Sequence, residues 1–134
     1  MTDNNNSEYA IDISTALADA NIDSRYISGK QRGVDIRAAL RVDAIEADNK
    51  KIKVVVPETV RSFSPSFVLG MFSATLNKVY QLNMSAVELV EKFREIYSFE
   101  RADNSSTDRI YHDIEEGIAD FLLDKIISAS VPRD

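Results

Sequence analysis

The run Lys-Ile-Lys-Val-Val-Val, residues 51 to 56, constrains the fold of this chain more than any other segment. β-Branched residues favour strands, and the run has the length of one strand and is bounded by Pro57. Its almost continuous apolar end is typical of a strand buried on both faces, as in a parallel sheet. We therefore predict a central buried strand in an α/β fold.

A helix is expected to begin shortly after this strand, near Ser64 or Pro65. Proline is favoured in the first turn of a helix, because the N–H that it lacks would have no partner there. A serine before it can cap the free N–H groups. The apolar residues that follow at helical spacing predict a wide buried face, and they are Phe67, Val68, Met71, Phe72, Thr75, Leu76 and Val79.

Strand and helix signals alternate through the rest of the chain. Residues 9 to 14 predict a half-buried strand with Ile11 and Ile13 on one side, residues 32 to 47 predict a helix, and residues 97 to 101 predict a late strand. This alternation predicts α/β layers, with a small mixed sheet flanked by helices.

Two further helices are predicted in the C-terminal half. Ser85, followed three residues later by Glu88, predicts a capping box at the start of a helix that turns Val87, Val90 and Phe93 inward. A long C-terminal amphipathic helix is expected to start near Ser106 or Thr107. Its stripe at helical spacing comprises Ile110, Ile114, Ile118, Phe121, Leu122 and Lys125.

Length and composition exclude several classes of protein. A chain of 134 residues predicts one domain, residues 9 to 134, after a flexible tail of residues 1 to 8. The chain has no cysteine, which excludes thiol nucleophiles, disulfides and cysteine-ligated metals. A net charge of −6 argues against a broad nucleic-acid surface. Without a long apolar run or a signal-peptide pattern, we predict a cytoplasmic protein with no membrane contact.

The turn between the central strand and its helix is the first candidate site. Ligands and partners of open α/β sheets meet the loops at the carboxyl ends of strands, where Ser62, Ser64 and Ser66 stand. The simpler interpretation is that one serine caps the helix. A phosphate on a serine here would also meet the helix N–H groups, with Arg61 close enough to pair. One serine could cap while its neighbour is modified.

The segments KIKVVVPETV and SFSPSFVLGMFSATL resemble the STAS-like family, relatives of the STAS domains of bacterial anti-sigma factor antagonists. In that family a glycine-containing loop and a G-x-x-x-R helix precede the strand, and a Ser-x-Ser-Phe helix start follows it. Here Gly33 and Arg37 match the first pattern, and residues 64 to 67 match the second. The resemblance covers residues 24 to 80. It implies a small sheet flanked by helices that acts by binding another protein, without catalysis or a cofactor.

In the antagonist relatives, a serine at this corner is phosphorylated by a partner kinase of the histidine-kinase-like ATPase type. Those relatives carry Asp-Ser-Ser-Gly. Laid on this chain, that pattern puts Ser64 at the acid, Pro65 at the phosphorylated serine and Phe67 at the glycine. The aspartate and the modified serine are missing in register, and Ser66 stands at the adjoining position. A phosphoswitch here would therefore not be inherited from the family pattern.

The leading hypothesis is a non-catalytic regulatory module that docks through residues 58 to 70 onto another protein, with a histidine-kinase-like ATPase as the partner that the resemblance implies. Phe63, Phe67 and Val68 would supply apolar contact where exposed. The residues predicted to bind the partner or to form the phosphoswitch are Arg61, Phe63, Ser64, Ser66 and Phe67.

Two alternatives remain open from the sequence. The segment SGKQRG, residues 28 to 33, would hold a nucleotide or phosphate with Gly29, Lys30, Arg32 and Gly33. It is not a P-loop, because the G-x-x-x-x-G-K-[ST] order is absent, and a basic turn in which Gly33 eases helix packing is the simpler interpretation. The other alternative is a homodimer formed through the C-terminal helix, if its apolar stripe is wider than the sheet covers.

No catalytic residue or metal site is predicted. His112 and Glu116 are four residues apart, but two ligands are too few for a metal. His112 and its neighbour Asp113 point to different faces of a helix, so they do not form part of a triad. The acids of this helix are interpreted as its solvated side, and they are Asp113, Glu115, Glu116, Asp120 and Asp124.

Overall fold

The computed structural model describes residues 8 to 20, 25 to 48 and 51 to 130. The elements in chain order are β1 (Glu8–Asp12), α1 (Ile13–Ala20), β2 (Tyr26–Ile27), α2 (Lys30–Ala39), α3 (Val42–Ala47), β3 (Lys51–Val56), β4 (Ser62–Phe63), α4 (Pro65–Val79), α5 (Ala86–Ile96), β5 (Tyr97–Arg101) and α6 (Asp108–Ser130). Glu8, which was predicted to end a tail of residues 1 to 8, is instead the first residue of β1. Residues 1 to 7 lie outside the described part.

The main sheet has three parallel strands in the order β1–β3–β5. As predicted, β3 is the central strand, and Ile52, Val54 and Val56 of its inner face are fully buried. Lys53 and Val55 of the other face are only half-buried. The prediction that both faces are buried is therefore wrong, and the helices cover one face.

On the face of the sheet that the helices do not cover, charged side chains of neighbouring strands pair with one another. Lys53 on the central strand lies 4.0 Å from a carboxylate oxygen of Glu8 on β1 and 3.7 Å from one of Glu100 on β5. The Ser98 hydroxyl also donates to Glu8. Opposite charges on neighbouring strands stabilise a sheet modestly, and here they suit a face that water reaches. This explains why lysines interrupt the apolar run of β3.

A second, two-stranded sheet adjoins the main one. Its strands β2 and β4 are parallel, with Tyr26 beside Ser62 and Ile27 beside Phe63. The Ile27 carbonyl then accepts from the Ser64 N–H at 2.9 Å, which extends the pairing to the start of α4. Every strand pair among the described residues is parallel. The molecule is thus an α/β protein with small parallel sheets, instead of the mixed sheet that was predicted.

Helix α4 is the central helix, and its start confirms the predicted cap. The Ser64 side chain accepts from the Phe67 N–H at 3.1 Å, and Pro65 occupies the first turn. Phe72, in the middle of α4, packs edge-on against the rings of Phe93 and Tyr97, with both centroid separations 5.1 Å. The wide apolar face predicted for this helix therefore forms the centre of the core.

Helices α2 and α4 cross with their backbones in direct contact at two glycines. An added Cβ at Gly33 would lie 2.5 Å from the Met71 nitrogen, and one at Gly70 would overlap the carbonyl oxygen of Lys30. Each glycine therefore faces the backbone of the opposite helix. This crossing fixes α2 against α4.

The segment predicted as one helix over residues 32 to 47 is two helices. Arg41 has a φ of 57°, in the left-handed region, and this single residue ends α2 and allows α3 to leave in a new direction. Helix α2 also begins earlier than predicted, at Lys30. The residues SGKQRG, predicted as a loop, thus contain the first turn of a helix.

The C-terminal helices largely confirm the predictions. The capping box is present, with the Ser85 side chain accepting from the Glu88 N–H at 3.1 Å and the Glu88 carboxylate accepting from the Ser85 N–H at 2.9 Å. Val87 is exposed instead of inward, and Leu89 takes the buried position because the buried face of α5 follows Leu89 and Phe93. The apolar stripe predicted for α6 is buried. In the described residues, no helix combines the length and apolar character that a membrane crossing requires.

Candidate functional site

The corner after β3 does not present the apolar surface that was predicted. Phe63, Phe67 and Val68 are all buried, so they cannot contact a partner. Helix α6 covers them: the Phe63 N–H donates to Asp113 of α6 at 2.9 Å, and Gly117 of α6 packs on Val68. The start of α4 is therefore covered by α6, a helix whose Asp113 lies 50 residues after Phe63 in the chain.

The polar residues predicted at this corner have different positions. Ser64 is buried and serves as the cap of α4. Ser66 is exposed, with its hydroxyl oxygen 3.0 Å from that of Ser64. Arg61 is exposed, and its backbone N–H donates to the Arg25 carbonyl at 2.7 Å. Of the five predicted residues, Arg61 and Ser66 remain accessible.

The residues of the anion site predicted at residues 28 to 33 lie at the start of α2 and not in a loop. Gly33 is buried in α2 at the crossing with α4, and its N–H donates to the carbonyl of Gly29, the N-cap of the helix. The N–H therefore cannot face an anion. Gly29 has a φ of 99°, which glycine adopts without strain, and it starts the helix. Arg32 lies exposed on the helix surface, and Lys30 lines a separate groove between α2, α4 and α6.

An open cleft of about 440 Å³ lies at the carboxyl ends of the strands, and we call it the arginine cleft. It is bordered by the ends of β3 and β5, by β4 and by the first turn of α6. The carboxyl edge of a parallel sheet is where α/β proteins bind ligands. The residues that line the cleft are Glu58, Val60, Arg61, Ser62, Arg101, Ser105 and Arg109.

Arg101 forms the inner wall of the arginine cleft. It is the last residue of β5, and only 8% of its surface is exposed. Its Nε donates to the Ser106 carbonyl at 2.8 Å, and its Nη1 donates to the Val60 carbonyl. Both acceptors are neutral, and among the described residues no carboxylate forms an ion pair with this guanidinium. A largely buried positive charge therefore borders the cleft.

Arg109 is oriented by a buried acid. Its Nε donates at 3.0 Å to Asp113, one turn further along α6, and the Asp113 side chain is 2% exposed. The other oxygen of Asp113 accepts from the Phe63 N–H. The interpretation of Asp113 as a solvated residue is thus wrong, because this carboxylate connects α6 to β4. It also holds the Nε of the Arg109 guanidinium, while most of the Arg109 side chain remains exposed.

The outer wall of the arginine cleft is made of loops. The Ser105 N–H and hydroxyl both donate to Asp103, at 3.0 and 2.6 Å. The bond from the Ser105 hydroxyl, then its N–H, and to a smaller degree the charge of Arg101 lower the pKa of Asp103. Glu58 is the one acid among the lining residues of the cleft. The loop of residues 103 to 105 is therefore ordered by its own hydrogen bonds. Among the lining residues of the cleft, three arginines outnumber one acid.

A second polar cluster lies at the opposite, amino end of β5, around the Glu46 carboxylate. This carboxylate is almost fully buried and accepts from Thr75, Tyr97, Lys78 and Arg37. The distance from the Lys78 Nζ is 3.0 Å. These four partners come from α2, α4 and β5, so the carboxylate links three elements to α3.

Competing effects set the pKa of the Glu46 carboxyl. Burial acts to raise this pKa, because a charged group is poorly solvated in the interior. The hydrogen bonds from Thr75, Tyr97 and Lys78 and the charge of Arg37 outweigh burial and hold the pKa below its ordinary value. Burial, and then the bond to Glu46, raise the pKa of the Tyr97 phenol. Glu46 is thus ionised and Tyr97 protonated at neutral pH, and the cluster is fully bonded.

The arginines of the cleft are suited to bind an anion. Guanidinium groups stay protonated at physiological pH and donate only, so they orient an anion without exchanging protons with it. His112 lies elsewhere on α6, where its Nε2 is 3.4 Å from Glu116. Within the described ranges, no group of three or more residues with metal-ligand side chains is found.

Sequence reasoning found Arg61 and Ser62 but missed Arg101, Ser105 and Arg109. The rule that drew attention to the end of β3 applies equally to the end of the predicted strand YSFER, whose last residue is Arg101. Parallel neighbours bring these two ends to the same edge. No local signal marks Arg109, which reaches the cleft because α6 folds back over β4.

Comparison of the chain with models of protein families, with curated proteins and with solved structures finds no match. The fold and the geometry of the arginine cleft are therefore the basis for a functional proposal.

Proposed function

We propose that this protein is a non-catalytic regulatory module that receives an anionic group of a partner protein in the arginine cleft. The observation that carries the proposal is the convergence of Arg61, Arg101 and Arg109 on one cleft at the carboxyl edge of the parallel sheet. Arg101 gives the strongest support for an anion site, because burying a charge costs free energy unless an opposite charge or hydrogen bonds compensate it. A bound anion would supply that compensation.

The docking surface proposed here differs from the apolar corner expected from the sequence. It retains the region around residues 58 to 62 and replaces the buried phenylalanines with guanidinium and hydroxyl donors. The resemblance to STAS-like proteins supports protein binding as the role and suggests a histidine-kinase-like ATPase as the partner class. A cytoplasmic location is part of the same proposal.

A phosphoswitch at Ser66 also stays a proposal. Its hydroxyl is exposed at the start of α4, where a phosphate would meet the positive end of the helix dipole. The neighbouring Ser64 already caps the helix, so modification of Ser66 would not remove the cap.

Thermal unfolding in the presence of anions tests the proposed function. Phosphate, sulfate, citrate and a glutamate-rich peptide are compared with chloride at equal ionic strength. A ligand at one hundred times its Kd stabilises the folded state by about 2.7 kcal/mol, which raises Tm by several degrees. We expect at least one of these anions to stabilise the wild type and Arg61→Gln to reduce the effect.

The matched control is Arg32→Gln, which removes an exposed arginine from α2, away from the arginine cleft. It should leave the stabilisation unchanged. The proposal fails if none of the anions stabilises the wild type, or if Arg32→Gln abolishes the effect while Arg61→Gln does not.

Self-association through α6 is a second candidate, favoured by one observation. Leu123, Ile126 and Ile127 are 55%, 56% and 52% exposed and follow the helical spacing i, i+3, i+4. They form an apolar stripe on the C-terminal part of α6, and such stripes occur at interfaces between helices. A second copy of the chain would cover it by the same stripe, as in a two-fold dimer.

Sedimentation equilibrium over a range of protein concentrations tests this candidate. We expect the apparent mass to rise with concentration, and Ile126→Glu to return it to the monomer value, because a charge in the interface opposes burial. Leu82→Glu is the control, since Leu82 is exposed in the turn between α4 and α5. A monomer mass at all concentrations would exclude the dimer.

A further inference from the structure

We infer that the group bound in the arginine cleft is a phosphate ester carried on a protein side chain, in preference to a carboxylate or a nucleotide. This inference rests on the proposed function and names the chemistry that the cleft selects. Three features support it: the arrangement of donors, the balance of charge, and the lack of a surface for a nucleobase.

The donors of the arginine cleft come from separate stretches of the chain. Arg61 precedes β4, Arg101 ends β5, and Arg109 lies in the first turn of α6. Ser62 adds a hydroxyl group, whereas the Ser105 hydroxyl already donates to Asp103. A carboxylate has two oxygens in one plane, and a single arginine can satisfy both. The three terminal oxygens of a phosphate ester diverge, so they can use donors from several walls.

The charges of the arginine cleft suit a dianion better than a monoanion. Its lining residues include three arginines and one acid, Glu58, which leaves two positive charges in excess among the lining residues. Asp113 pairs with Arg109 and Asp103 lies near Arg101, but neither acid lines the cleft. A phosphate ester carries about −1.5 to −2 at pH 7, more than a carboxylate. The start of α6, the positive end of a long helix, borders the same cleft.

The arginine cleft offers little to a nucleobase. Val60 is the one apolar residue in its lining, and no aromatic ring is among the lining residues. Bases are held by stacking on aromatic side chains and by apolar walls. The volume of about 440 Å³ is within the range of ligand sites, and it is open enough for a side chain presented on a peptide. The ligand is therefore a compact charged group carried on a peptide.

Isothermal titration calorimetry with a matched set of probes tests the inference. The probes are a five-residue peptide with a central phosphoserine, the same peptide with glutamate or serine in its place, inorganic phosphate, and AMP. We expect the phosphopeptide to bind the wild type at least about tenfold more tightly than the glutamate peptide, the factor that corresponds to 1.4 kcal/mol. The serine peptide should not bind.

Variants assign the binding to the cleft. Arg61→Gln changes an exposed side chain, so the protein should fold, and the phosphopeptide affinity should fall about tenfold, as expected for one charge-assisted contact. Arg101→Lys keeps the charge but removes the planar fork, and it should weaken binding too. Should Arg101→Lys fail to fold, Arg61→Gln still decides the result. Arg32→Gln should bind as the wild type does.

The outcomes separate this inference from the proposed function. Equal affinity for the glutamate and phosphoserine peptides would overturn the inference and leave an anion-binding module. Inorganic phosphate or AMP binding as tightly as the phosphopeptide would also overturn it, because the ligand would then be a free phosphate or a nucleotide. No binding of any probe would overturn the inference, and the anion panel then decides whether the proposed function stands.

Discussion

Glu46 shows how this chain keeps a carboxylate in its interior. A buried carboxylate is costly unless its oxygens are fully bonded and its charge is paired. The Glu46 oxygens accept from Thr75 and Tyr97, and Lys78 and Arg37 supply positive charge. Arg37 in turn donates to the Met71 carbonyl at 2.8 Å. The arginine that matches the STAS-like pattern is therefore a residue of this buried cluster.

Replacing Glu46 should destabilise the fold, and the effect should depend on pH. Glu46→Gln keeps the shape but removes the charge facing Arg37 and Lys78, and we expect a loss of about 3 kcal/mol at pH 7. The folded pKa of Glu46 is lowered, so its contribution is fully present above the unfolded value of about 4.3 and is lost as pH falls through the folded pKa. Urea unfolding of both proteins from pH 7 to pH 3 measures this.

The matched control is Glu95→Gln, at an exposed position on α5. Its stability should stay within about 0.5 kcal/mol of the wild type. A difference between wild type and Glu46→Gln that stays constant down to pH 3 would contradict an ionised Glu46.

Asp113 illustrates what could not be predicted at the scale of single residues. It stands among five other acids of α6, and the pattern of that helix indicates a solvated side. It is buried because the Phe63 N–H, 50 positions earlier in the chain, needs an acceptor. Arg37 and Arg101 are also buried by distant partners. Whether a charged residue is buried thus depends on tertiary contacts, and these cannot be predicted from the spacing of apolar residues along one helix.

At the scale of elements, the crossing of α2 and α4 depends on two glycines. Alanine normally stabilises a helix interior by about 0.5 to 1 kcal/mol relative to glycine. Here the added methyl would meet backbone atoms, which cannot move aside as a side chain can. We therefore expect Gly33→Ala and Gly70→Ala each to destabilise the protein by about 3 kcal/mol, the upper part of the range for overpacking.

Urea unfolding at neutral pH measures this effect against a control on the same helix. Asn77→Ala changes an exposed residue of α4 and should be neutral or slightly stabilising, because alanine has the higher helix propensity. If Gly33→Ala proved as stable as the wild type, the two helices could not be in backbone contact.

Elements with local signals were predicted well. The cap at Ser64, the capping box at Ser85 and the strand β3 each depend on residues within one turn or one strand. The break at Arg41 and the helical state of SGKQRG were not predicted. Both depend on the packing of α2 against α4. A glycine in the sequence predicts a loop, but Gly33 lies inside a helix and permits a close crossing with another helix.

At the scale of the whole molecule, the two ends of the main parallel sheet differ in character. The amino end is closed by the Glu46 cluster, in which every charge has a partner. The carboxyl end is open at the arginine cleft, where Arg101 forms no ion pair among the described residues and donates to two backbone carbonyls. The buried cluster and the proposed binding site therefore lie at opposite ends of β5. Part of this site could be predicted from the carboxyl-end rule, whereas the contribution of α6 required the fold.

The most direct test of the central claim is chemical-shift mapping by NMR of the ¹⁵N-labelled protein titrated with the phosphoserine peptide. We expect the amide signals of residues 58 to 62 and 101 to 109 to shift during the titration and to fit a single dissociation constant. The signals of residues around Glu46 should not shift. Shifts confined to residues 28 to 33, or shifts scattered over the surface without saturation, would contradict a binding site in the arginine cleft.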